Sequence, residues 1–235
     1  MEERQSELYA ELRAAAEFFQ ALGIEALPFR LPERRERPVR GSTGGDAALE
    51  GLRSEIGDCR RCKLSSGRKN IVFGEGCAEA RIMFIGEGPG REEDLQGRPF
   101  VGDAGALLTK LIEKMHVGEK NLRRTDVYIA NIVKCRPPMN RDPEEDEIAS
   151  CRGFIERQIE IIRPEIIVTL GRIALQTLLR RPELRITAAR GNFFEYEGIP
   201  VMPTFHPAYL LRNPKDKWLT WSDAQKVMGR LAGHQ

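Results

Sequence analysis

No run of about 18 apolar residues occurs anywhere in the 235-residue chain, which excludes a membrane-spanning helix. The opening MEERQSELYA lacks the basic-then-apolar order of a secretory signal, so nothing points to export or to an oxidising compartment, and a cytoplasmic location is expected. An excess of one charge is missing too. Lys and Arg number 37 against 35 Asp and Glu, and a net charge of +2 by itself argues for no nucleic-acid partner, because phosphate binding needs only local clustering. An even set of cysteines is absent: five cannot all pair, and in a reducing compartment they read as metal or cluster ligands before they read as disulfides.

What is present is enough for one well-cored domain with extra segments. Leu8, Leu12, Phe18, Phe19 and Leu22 recur at helical spacing and predict a short amphipathic helix over 6–22. From Pro28 to Asp46 three prolines, a cluster of arginines and the stretch GSTGGD leave too little apolar surface to offset ordering, so a flexible, solvated linker is expected there. The chain therefore divides into an N-terminal extension, residues 1–48, and a main domain, residues 49–235. From Ala80 onward apolar runs alternate with helical patterns: RIMFIG, ALLTKLIEKM, VYIANIV, a helix from Pro143 to Ile162, EIIVTL, RIALQTLL, IPVMPTF and a last helix over 221–231. This alternation predicts an α/β domain with a mostly parallel central sheet flanked by helices. In such sheets ligands bind outside the carboxyl ends of the strands. GEGPG after RIMFI, Asn131 with its exit KCRPP, and His206 after VMPTF all fall at such ends, which points to one shared site.

Cys59-Arg-Arg-Cys62 has a spacing that lets two thiolates grip one metal centre, and Cys135 and Cys151 supply two further ligands. Arginines beside all four favour thiolate over thiol. Spacing and softness alone leave zinc and an iron-sulfur cluster both open, beside ordinary buried cysteines. Cys77, in GEGCAEA, stands apart as a non-ligand. GEGPG at 86–90 lacks the GxxxxGK[ST] pattern, so a nucleotide-phosphate loop is not expected, and by itself it reads as a structural turn.

Taken in order, CxxC, GEGPG with GRPFVG, YIANIVKCRPPMNR, the fourth cysteine and FHPAYLLRNP resemble the family 4 uracil-DNA glycosylases over about residues 52 to 230. The resemblance implies a uracil-glycosylase-like αβα fold, and hydrolysis of the bond between uracil and deoxyribose in DNA. It also implies a structural [4Fe-4S] cluster on Cys59, Cys62, Cys135 and Cys151, in a cluster loop. Residue by residue, it places Glu87, Gly88 and Pro89 in the loop against the base, Phe100 stacked on uracil and Asn131 at the uracil edge. His206 falls near uracil O2, and Leu210 or Leu211 forms the wedge that enters the duplex. The partner implied is uracil-containing DNA; the protein is expected to be a monomer, with a protein partner for the extension left open.

Each role has a physical reason. An enzyme acting on a base must extrude it, which costs a few kcal/mol, and stacking on an aromatic ring returns roughly 1–3 kcal/mol. An amide held in one orientation donates to uracil O4 and accepts from N3–H, whereas cytosine presents the reverse pattern. Negative charge grows on departing uracil, so a donor at O2 acts most strongly in the transition state. The best-known uracil glycosylases carry an Asp where this chain has Gly88 and a Tyr where it has Gly90. Either Glu87 orients the water or the reaction relies mostly on anion stabilisation and an already dissociative transition state, and thymine rejection must come from elsewhere, with Glu87 one candidate. Asn140 and Arg141 either line the site or form a turn. No histidine lies between His116 and His206, which argues against the covalent DNA trapping of a relative with a histidine in this region. The competing readings are a cluster protein that binds uracil or DNA without cleaving, and a four-cysteine zinc regulator.

Overall fold

The computed structural model describes residues 44–233, and the helix expected over 6–22 lies outside them. The first element, α1 (Gly44–Ile56), buries Leu49, Leu52 and Ile56 at helical spacing. Gly44, Gly45 and Asp46, assigned above to the linker, form its first turn. Gly45 is buried because it lets the helix approach Ala78, whose Cβ would stand 3.0 Å from a Cβ at position 45. Glycines here serve close packing, and composition alone read them as disorder.

The central sheet has the order β1 (Glu75–Gly76), β5 (Tyr128–Asn131), β2 (Ile82–Gly86), β6 (Ile166–Leu170), β8 (Ile199–Thr204) and β7 (Phe194–Tyr196). The four inner strands are parallel, and the short edges β1 and β7 are antiparallel. A separate small ribbon pairs β3 (His116–Val117) with β4 (Lys120–Asn121). The long inner runs are apolar because both faces are covered. Ile82 and Phe84 point to one core while Met83 and Ile85 point to the other.

Helices α2 (Arg91–Gln96) and α3 (Asp103–Lys114) connect β2 to β5, and α4 (Glu145–Ile162) connects β5 to β6. They are followed by α5 (Arg172–Leu179) and α6 (Ile186–Ala189), and after β8 by α7 (Pro207–Arg212) and α8 (Lys217–Ala232). Leu108 and Ile112 of α3 join Val227 and Leu231 of α8 on one face of the sheet. Leu52 of α1, Ile155 and Ile159 of α4 and Leu178 of α5 cover the other. The expected α/β class therefore holds.

The chain leaves β2 in one direction to β5, then returns past β2 to β6, so the strand order reverses beside the carboxyl end of β2. A crevice opens at such a reversal. Gly86 and Asn131 stand opposite each other at that end, and pairing continues beyond it through Ile132 N to Gly86 O, 2.9 Å, and Val133 N to Glu87 O, 3.1 Å.

Candidate active site and cysteine centre

At this reversal lies a cleft of about 400 Å³ whose walls include Glu87, Gly88, Pro89, Phe100, Asn131 and His206. Six positions picked from three separate motifs thus meet in one cavity. Asn140 and Arg141 also line it. Two successive left-handed residues, Met139 and Asn140, turn this loop over the cleft and leave Met139 94% exposed.

Asn131 is buried at the end of β5, and its amide oxygen is a buried atom with no hydrogen-bond partner among the described residues. Leaving such an atom unpaired costs about 1–3 kcal/mol. A Cβ at Gly86 would lie 2.5 Å from that oxygen and 2.6 Å from Phe100 Cζ, so only glycine lets the amide and the ring share this corner. Below, the buried Lys134 donates from Nζ to Asn131 O and to Gln158 Oε1, both at 2.7 Å. Phe100 has φ +51, a conformation that costs a side-chain-bearing residue roughly 1–2 kcal/mol. Its ring centre stands 5.6 Å from that of His206.

His206 caps α7, its Nδ1 accepting from Ala208 N at 3.1 Å. An accepting Nδ1 places the proton of the neutral ring on Nε2. Burial brings the imidazole pKa down to about 4, with Glu93 opposing the shift, so the ring is neutral in neutral solution. Glu87 moves the other way: burial, with Asp142 adding repulsion and Arg172 opposing, raises it to about 7. Gly88 has no room for a side chain, because a Cβ would meet Val133 Cγ2 at 2.7 Å. A Cβ at Gly90 would meet Glu93 Oε2 at the same 2.7 Å. Neither the Asp nor the Tyr of the better-known enzymes fits without movement. The site thus offers a stacking face, an amide with an open acceptor, a neutral imidazole donor and a carboxyl group near neutrality.

One candidate falls. Leu210 is 3% exposed and belongs to the core, since α7 turns that side inward; Leu211, the next residue and about 100° further round the helix, is 42% exposed. Of the two, Leu211 is the one at the surface. Glu93, Tyr209 and Arg212 also line the cleft without having been singled out. The run Glu92-Glu93-Asp94 was visible, but nothing in it told which carboxylate turns inward.

The loop after α1 carries Cys59 and Cys62, the exit of β5 carries Cys135, and α4 carries Cys151. All four pack against one hydrophobic cluster and none is in a disulfide. Three of the sulfurs receive N–H groups: Cys59 from Arg61 at 3.5 Å, Cys135 from Arg68 at 3.6 Å, and Cys151 from Lys134 N at 3.3 Å. Burial pushes the Cys135 thiol up to about 11 and raises Cys151, while Cys62 acts on both. Among the described residues no group of three or more His, Cys, Asp or Glu side chains is placed to hold a metal ion. Soft thiolates with N–H groups directed at their sulfurs are a donor chemistry that an iron-sulfur cluster or a zinc ion would take.

A family model described as the uracil DNA glycosylase superfamily matches residues 73–225. The chain belongs to this superfamily. Within it, the type-4 uracil-DNA glycosylase of Saccharolobus solfataricus is 47% identical over 191 residues, 78% of this chain and 87% of that protein. The type-4 enzyme of Thermotoga maritima is 50% identical over 166 residues, covering 70% and 84%. That of Archaeoglobus fulgidus is 42% identical over 193 residues, covering 79% and 94%. The resemblance read from the motifs is thereby established as family membership. No helix among the described residues is long and apolar enough to cross a membrane.

Proposed function

We infer that this member of the type-4 uracil-DNA glycosylases is a DNA repair enzyme that takes uracil out of the DNA stack and hydrolyses its N-glycosidic bond, leaving an abasic site. The observation that carries the reading is the buried, unpartnered amide oxygen of Asn131 beside the Phe100 ring and the His206 imidazole. Uracil N3–H supplies the missing donor; cytosine, with no hydrogen at N3, leaves the oxygen unpaired. Phe100 stacks on the extruded base, and His206 donates from Nε2 to O2 as charge develops there. Gly88 and Pro89 form the wall against the base, and Leu211 fills the gap in the duplex. The test is a labelled oligonucleotide with one uracil, with cytosine and thymine strands as controls, followed by alkaline cleavage of abasic sites. Scission at uracil alone is expected; binding to the uracil strand with no scission would favour the module that recognises without cleaving.

Cys59, Cys62, Cys135 and Cys151 are the proposed ligands of a [4Fe-4S] cluster, which ties together the loop after α1, the exit of β5 and helix α4. The same preparation should contain about four irons per chain. One zinc and no iron would return the zinc reading. The extension over residues 1–48, a monomeric state, a cytoplasmic location and a protein partner for the extension belong to the same proposal, and residues 44–48 lie in helix α1.

Glu87 is proposed to orient the attacking water, since Gly88 carries no base. Single-turnover rates should then climb as pH rises through about 7 and level off, and Glu87→Gln should lose that limb. A wild-type profile flat across this range would remove the role. The linkage runs opposite to that of a salt-bridged carboxylate. With the folded pKa above the unfolded value, the contribution to stability is complete below 4.5 and is lost as pH rises through about 7. Glu87→Gln should accordingly melt higher than the wild type above neutrality.

A further inference from the structure

Phe100 is bulky, and nothing in its own chemistry favours φ +51. What keeps it there lies behind the ring, on Arg124. This guanidinium, in the turn that leads into β5, spends all five of its N–H groups inside the fold. Nη2 donates to Pro99 O at 2.8 Å and Nη1 to Phe100 O at 3.2 Å. Nη1 also donates to Thr109 Oγ1 of α3 at 3.1 Å. Nε and Nη2 both donate to Glu75 Oε1 of β1, at 3.2 and 2.5 Å.

The amides on the far side of Phe100 are held as firmly. Glu93 Oε1 accepts from Val101 N at 2.9 Å and Gly102 N at 3.2 Å, while Oε2 accepts from Gly90 N at 3.1 Å. Gly105 completes the seat, because a Cβ there would fall 1.9 Å from Phe100 O. The two carbonyls of the Pro99-Phe100 step face a cation and the two following amides face an anion. A return of Phe100 to negative φ would break this division. It would also lift the ring from Gly86 and His206, the two surfaces that fix its place at the cleft.

We propose that Arg124 is a positioning residue for the glycosylase reaction: by clamping the carbonyls of Pro99 and Phe100 it holds the ring in the left-handed orientation in which it stacks on the extruded base. The proposal rests on the uracil-DNA glycosylase reading. Arg124 itself does not line the cleft, so its effect passes through Phe100. The plainer alternative is that Arg124 only pins β1 to the body of the domain through Glu75.

A double-mutant cycle separates the two. Wild type, F100A, R124M and F100A/R124M are compared in single-turnover cleavage of a uracil duplex at subsaturating enzyme. R124M and F100A should each lower the rate roughly 10-fold or more, the order expected for loss of one aromatic stack. The double variant should be no slower than F100A. R124K, with three donors in place of five, should recover part of the loss, and it takes the place of R124M in the cycle if R124M does not fold. A crystal structure of the variant should show Phe100 at negative φ. The proposal is overturned if the Arg124 substitution costs the same factor with Phe100 absent as with it present, or if Phe100 keeps its positive φ without the guanidinium. A wild-type protein that leaves uracil strands intact would sink the functional reading instead, and the crystal structure would then still decide whether Arg124 holds the ring.

Discussion

His206→Ala is expected to slow single-turnover cleavage of a uracil oligonucleotide by about 10²–10³-fold, while affinity for the same oligonucleotide changes far less. The asymmetry follows from when the interaction matters. Uracil O2 is a weak acceptor while the glycosidic bond is intact and a strong one as the base departs with negative charge, so the imidazole contributes mainly to the transition state. The capping bond from Ala208 N to Nδ1 fixes the tautomer that donates from Nε2. With the pKa lowered to about 4, the profile of Glu87→Gln, which lacks the limb near 7, should show no inflection near 6.5, where an ordinary histidine titrates. Equal rates for His206→Ala and wild type would remove His206 from the chemistry, and an inflection near 6.5 that persists in Glu87→Gln would show that the ring is not desolvated in solution.

The second large effect is on base choice. Asn131→Asp is expected to reduce uracil cleavage by about 100-fold or more and to bring cytosine cleavage into measurable range, so that the ratio of the two rates collapses. A site built around a substrate N–H rejects analogues that lack it because its own polar atoms stay unpaired. A protonated carboxyl reverses the pattern, donating to cytosine N3 and accepting from N4. Competition between uracil and cytosine strands in one tube reads the ratio directly, and an unchanged ratio would mean that Asn131 does not read the base. Asn131→Leu is the control: it should lose uracil cleavage without gaining cytosine, because it removes the amide and offers no new pattern.

Much of the inner fold was legible in the chain itself. RIMFIG, VYIANIV, EIIVTL and IPVMPTF stand out because parallel strands covered on both faces are nearly continuous apolar runs. RIALQTLL became a helix over the same residues, Arg172–Leu179. The edges were not legible. Strands β1 and β7 are two and three residues long and carry Glu75 and Glu195, too short for an alternation to show. Helix α1 was hidden by its opening glycines, whose packing against Ala78 has no local signature. Of the two leucines in PAYLLR, the motif did not tell which faces outward, because that depends on how α7 is rotated against the core.

The ordered motifs by themselves determined the family, the type of sheet and the cluster of candidate side chains at the strand ends, since apolar periodicity and reactive residue types are written locally. Only the tertiary structure decided how those side chains are tuned. The pKa values of Glu87 and His206 move in opposite directions because burial disfavours the charged form of each, and burial belongs to the assembled cleft. The orphaned oxygen of Asn131 has room where it stands because Gly86, opposite it in the sheet register, carries no Cβ. The left-handed Phe100 is held by an arginine 24 residues away in the chain, and a clamp of that span leaves no trace in any window of sequence.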